Sequence, residues 1–192
     1  GQTISHYKIL EKLGEGGMGV VYKAQDTKLD RQVAIKFLPS HLSASEENKT
    51  RFVQEAKSTA ALNHPNILHI HEIDEQNGNL FFVMEYIEGR TLKSFISTLK
   101  SGEGVPIRKA IDWTIQIAQG LKAAHDKGVF HRDIKPENIM LTSDDQPKIM
   151  DFGIAKLKGG SGFTRTGMSL GTLSYMSPEQ AQGIAADLRT DV

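Results

Sequence analysis

The sequence predicts an α+β protein in two parts: a five-stranded antiparallel sheet carrying one helix, then a mainly helical part. Two patterns point there. Up to about residue 87, apolar residues come in short alternating runs separated by polar or glycine-rich turns, the period of half-buried strands. After Glu88-Gly89 the period changes, and Ile107, Ile111, Ile115, Ala118 and Leu121 recur at helical spacing on one face.

Residues 1–6 read as an N-terminal extension, and they lack the basic stretch and apolar run of a signal peptide. The first two strands fall at Tyr7 to Leu13 and Val20 to Ala24, with a glycine cluster as their turn. A third runs from Gln32 to Leu38 between Asp30 and Pro39. Ser43-Ala44-Ser45-Glu46 has the form of a capping box and opens a helix to about Leu62, stopped by Asn63-His64-Pro65-Asn66. Strands at Ile67 to Ile73 and Leu80 to Tyr86 flank the polar turn Glu75 to Asn79. Pro106 suits the start of the long helix and Gly128 its C-terminal end. Val129 to Met150 is strand-rich with polar turns, and Gly159 to Gly171 reads as a loop.

Composition narrows the function classes. Among 192 residues, 23 Lys+Arg balance 23 Asp+Glu, which argues against a nucleic-acid binder working by counterion displacement. Cysteine is absent, excluding disulfides, thiolate zinc sites and a Cys nucleophile. The longest apolar runs, such as Leu80 to Met84, fall short of the roughly 20 residues that span a bilayer, so no membrane segment is expected here. A cytoplasmic setting is expected, with an anchor elsewhere in a longer protein left open. The chain does not begin with Met and reads as a piece of something longer.

Three motifs carry chemistry. Gly14-Glu15-Gly16-Gly17-Met18-Gly19 has GxGxxG spacing. It leads into the strand Val20 to Ala24, whereas a dinucleotide fingerprint leads into a helix and a P-loop needs Gly-Lys-Ser/Thr. A glycine loop between strands can bring backbone N–H groups close to phosphate oxygens. In Val33-Ala34-Ile35-Lys36 the alternation puts Lys36 on the face of the small Ala34, where a flat ring has room. An ammonium enclosed there needs a carboxylate partner, and Glu55 in the predicted helix is the candidate. The third motif is His131-Arg132-Asp133-Ile134-Lys135-Pro136-Glu137-Asn138 followed by Asp151-Phe152-Gly153. Asp133, Asn138 and Asp151 supply oxygen donors of the kind Mg²⁺ prefers. Singly, each could merely cap a turn; in this order, after a strand lysine and a glycine loop, they form a set. His69 and His71 alternate on one strand face without an evident third metal ligand, and Trp113 reads as core packing or a lobe-surface residue, not a cofactor contact.

On these residues the chain, from about Tyr7 to Val192, resembles the protein-kinase superfamily, whose roles as a family are taken over below. The wording of Gly14 to Ala24 and of Ser177-Pro178-Glu179-Gln180 is most similar to bacterial eukaryotic-like Ser/Thr kinases. The resemblance implies a two-lobed fold, with an N-lobe over residues 7–87 and a C-lobe over 88–192, incomplete where a large buried helix would open at Asp191-Val192. It implies that Gly14, Glu15, Gly16, Gly17, Met18 and Gly19 cover the phosphates of ATP and that Lys36, paired with Glu55, holds the α- and β-phosphates. Glu85 and Ile87, after a Met84 gatekeeper, would offer backbone groups to the adenine, with Leu13, Val21, Ala34 and Met140 around its ring. Asn138 and Asp151 would bind Mg²⁺, Asp133 would orient the acceptor hydroxyl and take its proton, and Lys135 would reach the transferring phosphoryl group and mark Ser/Thr acceptors. Ile154 leans toward Thr.

The implied partner is a protein substrate, with self-association for trans-autophosphorylation. Arg132 implies docking of a phosphate carried by Thr164 or Thr166, with Ser169 third, while Thr172 would bond Asp133 and Lys135. Without the buried helix, the Ile107 to Leu121 face is expected to expose an apolar patch. Thr59 stands where many members carry a larger apolar residue. Two other classes compete: a nucleotide-binding module without catalysis, and a small-molecule kinase of the aminoglycoside type, which Lys135 and Ser177-Pro178-Glu179 oppose.

Overall fold

The alternation becomes a sheet because its two faces meet different surroundings. The computed structural model describes residues 2–16, 19–38, 46–76, 78–152, 174–185 and 187–192, with backbone alone at 46–48, 51, 52 and 55. Its strands are β1 (Thr3–Ile4), β2 (Tyr7–Gly16), β3 (Gly19–Asp26), β4 (Arg31–Phe37), β5 (Ile70–Gln76) and β6 (Asn79–Glu85), with α1 (Glu46–Ala60) between β4 and β5. They pair antiparallel in the order β1-β2-β3-β4-β6-β5. Five were expected. The sixth, β1, comes from the stretch read as an extension: Thr3 pairs with Lys8 and Ile4 with Tyr7. Two residues show no alternation, so their pairing leaves no sequence signal.

The chain divides into two compact units, Gly1–Ala61 with His69–Tyr86, and Leu62–Leu68 with Ile87–Val192. In the first, Tyr7, Ala24, Val33, Ile35, Phe81 and Val83 form a core in which none is more than 3% exposed. Tyr7 donates its hydroxyl to Glu72, and burial together with that carboxylate pushes the phenol far above its ordinary pKa. Asp26, buried at the end of β3, accepts the N–H groups of Lys28 and Leu29 at 3.0 and 3.1 Å. Burial alone would raise its pKa, but those bonds, with His6 and Arg31 nearby, hold it below the usual carboxylate range. The glycine cluster, expected as a turn, is largely ladder: Gly14 pairs with Val21, Glu15 with Val20 and Gly16 with Gly19. Of the capping box Ser43-Ala44-Ser45-Glu46, residues 43–45 lie outside the described residues and Glu46 is the first residue of α1.

The second unit holds β7 (Gly89–Thr91), α2 (Leu92–Ser97), α3 (Ile107–His125), β8 (Ile139–Thr142), β9 (Pro147–Ile149) and α4 (Pro178–Ala181), with 3₁₀ turns at Pro136–Asn138 and Leu188–Asp191. Strands β7, β8 and β9 form a small antiparallel sheet in that order. Leu62, Ile67, Leu121, Ala124, Ile139, Ile149 and Phe152 make its core. Residues 67 and 68 are engaged there, with the Leu68 N–H on the Ile149 carbonyl at 2.9 Å, so the strand expected from Ile67 starts only at Ile70. Helix α3 buries Trp113, Gly120, Leu121 and Ala124, while Ile107, Ile111 and Ile115 are 79, 52 and 50% exposed. The exposed apolar patch expected on this helix is thus present at Ile107, Ile111 and Ile115, while Leu121 at its far end is buried. The Trp113 indole, packed edge-on against Phe95, donates to the Asp145 carbonyl at 2.7 Å.

A Cβ at Gly89 would sit 2.0 Å from the Leu141 carbonyl oxygen, whereas one at Gly104 would meet nothing within 4 Å. Gly89→Ala should therefore destabilise by about 1–3 kcal/mol or more, and Gly104→Ala should stay within about 0.5 kcal/mol of wild type. Urea unfolding of both variants checks the contrast.

Candidate active site

A loop holds polar side chains in place only where its own backbone is satisfied, and residues 131–138 show how this one is. His131 is completely buried. Its Nε2 lies 2.7 Å from the Met150 carbonyl, which can only accept, and its Nδ1 lies 3.2 Å from the Asp133 N–H, which can only donate. Together these bonds specify the neutral ring with its hydrogen on Nε2. Burial pushes its pKa below the ordinary imidazole value, against the opposing pull of the Met150 carbonyl and of Asp191, Asp133 and Asp151. The ring also meets Phe152 edge-on, centroids 4.7 Å apart.

Asp133 gathers the next group. Lys135 Nζ lies 3.0 and 2.8 Å from its two carboxylate oxygens, and both side chains are largely covered. Asn138 Nδ2 donates to the Asp133 carbonyl at 2.7 Å and to Oδ2 at 3.0 Å. Both amide hydrogens of Asn138 are thereby used, which leaves Oδ1 as the oxygen it can offer a cation. The Met150 N–H donates to the Asn138 carbonyl at 2.9 Å, so Asp151, the next residue, is held to the same turn. Asp151 has φ +59° and Arg132 φ +65°, both in the left-handed region. For non-glycine residues that conformation costs about 1–2 kcal/mol.

The strain at Arg132 is met by a residue the sequence reading had placed only as the start of a helix. Asp191 is buried at 6% exposure, and its carboxylate accepts the N–H of His131 at 2.8 Å and that of Arg132 at 2.5 Å. His125, from the last turn of α3, completes the set with Nε2 at 2.8 Å. Hydrogen bonds to a charged group contribute about 1.5–3 kcal/mol each, enough to hold the strained residue. Arg132 Nε is buried and has no hydrogen-bond partner among the described residues, while its guanidinium lies 5.6 Å from the Phe130 ring.

The other expected site residues divide between the units. In the first, register puts Val21, Ala34, Lys36 and Met84 on one sheet face, opposite the core face. Lys36 is 4% exposed there, as the Ala34 alternation predicted. Glu85 donates its N–H to the His69 carbonyl at 3.0 Å and accepts the His69 N–H on its carboxylate at 2.8 Å. Glu15 pairs with Lys12, and Leu13 is exposed. Gly19 has φ +109°, which glycine enters at little cost. At Gly14 and Gly16 an added Cβ would meet nothing within 4 Å, so nothing in the described packing requires glycine. In the second unit, Ile87 is buried and Met140 lies in β8 opposite Thr91. Gly17, Met18, Ile154, Thr164, Thr166, Ser169 and Thr172 lie outside the described residues, as does the side chain of Glu55. Sequence reasoning missed His125 and Asp191. An acid after Thr190 carries no local signal of burial.

A family model described as the protein kinase domain matches residues 7–192. The chain is 45% identical over 188 residues to a Clostridium acetobutylicum protein named "Probable serine/threonine-protein kinase", covering 98% of this chain and 28% of that protein. It is 41% identical to the serine/threonine-protein kinase PknA of Mycobacterium tuberculosis, covering 100% of this chain and 45% of that one. Among solved structures, the Mycobacterium tuberculosis PknI kinase domain matches with a TM-score of 0.79 at 30% identity, covering 100% of this chain and 71% of that one. The chain thus spans less than half the length of these curated relatives.

Because the folded state resists protonating His131, the unfolded chain takes up more protons below the ordinary imidazole pKa of about 6.5. That stability is complete above about pH 6.5 and lost as pH falls, by up to about 1.4 kcal/mol per pH unit. His131→Gln, which keeps a donor and an acceptor but cannot titrate, should show a shallower loss between about pH 7 and 5 in urea unfolding. Equal slopes in the two proteins would place the titrating group elsewhere.

Proposed function

The chain belongs to the protein kinase domain family, and on that premise we propose that it transfers the γ-phosphoryl group of Mg-ATP to Ser or Thr hydroxyls of proteins. The observation that carries the proposal is the cluster at Asp133, where Lys135 and Asn138 converge on one carboxylate and Asn138 keeps Oδ1 for a cation. Gly14 and Gly16 support the same reading: the described packing would accept a side chain there, and a ligand approaching the backbone would not.

Bound Mg-ATP would supply the phosphoryl group and a cation that neutralises charge as it develops. The chain's own residues do the rest. Asn138 and Asp151 hold the cation, and Lys36, beside Glu55 when paired, holds phosphate oxygens. The backbone at Glu85 and Ile87 positions the base, with Leu13, Val21, Ala34, Met84 and Met140 around it. The loop from Gly14 through Gly17 and Met18 to Gly19, with Glu15, covers the phosphates. Asp133 orients the acceptor hydroxyl and takes its proton, and the ammonium of Lys135 moves onto the transferring oxygens. Most of the rate enhancement then comes from positioning and charge, since phosphoryl transfer passes through a loose transition state.

In this reading residues 7–87 serve as the N-lobe and 88–192 as the C-lobe, and both contribute to holding Mg-ATP. The Nε of Arg132, buried and without a hydrogen-bond partner among the described residues, supports regulation by a phosphate on Thr164 or Thr166, added through self-association, with Thr172 bonding Asp133 and Lys135. Dependence on ATP favours a cytoplasmic setting; among the described residues no helix is long and apolar enough to cross a membrane.

The purified chain incubated with Mg²⁺ and ATP should carry phosphate on Thr164 or Thr166, mapped by mass spectrometry. Asp133→Asn and Lys36→Met should each lower incorporation by at least about 10²-fold while melting close to wild type. Wild-type chain that phosphorylates neither itself nor an added Ser/Thr protein would overturn catalysis and leave a nucleotide-binding module.

A further inference from the structure

Ser177-Pro178-Glu179-Gln180 was singled out in the sequence only as wording, and the fold gives its last residue two tasks. Helix α4 begins after Ser177, whose hydroxyl accepts the Gln180 N–H at 3.3 Å, while the Ser177 N–H donates to Gln180 Oε1 at 3.1 Å. That reciprocal cap commits the oxygen of the Gln180 amide. The nitrogen on its other side, Nε2, donates to the Arg132 carbonyl at 2.7 Å, across 48 residues of sequence. The two bonds fix the amide orientation between them, since a backbone N–H must meet oxygen and a carbonyl must meet nitrogen.

Arg132 is the residue with φ +65° immediately before Asp133. Its N–H is held by Asp191 and its carbonyl by Gln180. A peptide group in the left-handed region relaxes by rotating, and rotation here breaks one bond or the other. We propose that Gln180 is a positioning residue: by gripping the Arg132 carbonyl it fixes the peptide that leads into Asp133, and it couples Ser177–Ala181 to the catalytic loop. Displacing α4 then releases Asp133 without touching any group that meets nucleotide. The proposal rests on the proposed role of Asp133 for its catalytic consequence, but its structural content stands apart.

Two variants of the full chain separate the tasks. Gln180→Glu keeps an oxygen for the Ser177 N–H and removes the donor to the Arg132 carbonyl. Ser177→Ala weakens the cap and leaves that donor in place. Backbone amide exchange at Asp133 and Ile134, read without substrate, should quicken about tenfold in Gln180→Glu and stay near wild type in Ser177→Ala. Unchanged exchange in Gln180→Glu, or equal acceleration in both, would overturn the grip. In the transfer assay, kcat of Gln180→Glu should fall about tenfold with the KM for ATP within about twofold of wild type. An unchanged kcat, or a KM that rises in step, would overturn the positioning role. A wild-type chain without transfer would count against the proposed function alone, because amide exchange still decides the grip.

Discussion

The carboxylate of Asp191 is the interaction on which the site depends. It is buried, so it carries a desolvation penalty that only strong donors offset, and its donors come from α3 and from the two backbone N–H groups before Asp133. Those N–H groups belong to a loop in which one residue is in the left-handed region and one side chain, His131, is fully buried and uncharged. Remove the carboxylate and the loop loses the anchor that holds its strained peptide. Asp133, Lys135 and Asn138 are well placed because a residue that touches none of them fixes the backbone they grow from.

The cluster at Asp133 was legible in the sequence because its members are close along the chain: Asp133, Lys135 and Asn138 lie within six residues. What holds its backbone was not. His125 and Asp191 meet across 66 residues, and Gln180 reaches Arg132 across 48. Such pairs have no period and no fixed spacing, so only the fold brings them together. The two-lobed α+β reading came through for a related reason. Alternation at Val33-Ala34-Ile35-Lys36 puts Lys36 on the face of Ala34, as the strand register also has it, because side-chain direction in a strand follows from the backbone alone.

On one helix the sequence showed only half of the pattern. Helix α3 carries apolar residues in two stripes, one through Ile107, Ile111 and Ile115 and one through Trp113, Ile117, Leu121 and Ala124. Helical periodicity identifies the helix but cannot choose between stripes, and packing chose the second. The glycine cluster misled. Glycine is the usual signal of a turn, yet Gly14 and Gly16 sit in paired strands where their lack of a side chain serves no purpose in the described packing.

The order in which the units use the chain has a consequence for folding as the protein is made. Residues 62–68 belong to the second unit, although they lie between two stretches of the first. Asn66 Nδ2 donates to the Pro147 carbonyl, 81 residues further on. Strand β6, which lies between β4 and β5 in the sheet, emerges after this detour. A chain growing from its N-terminus therefore cannot complete its first sheet until it has passed through a segment whose own partners do not yet exist. Long-range closures of this kind slow folding and prolong the exposure of unpaired strand edges. For this chain the first sheet waits from the synthesis of β4 until that of β6, and residues 62–68 wait for their partners until β9 has been made.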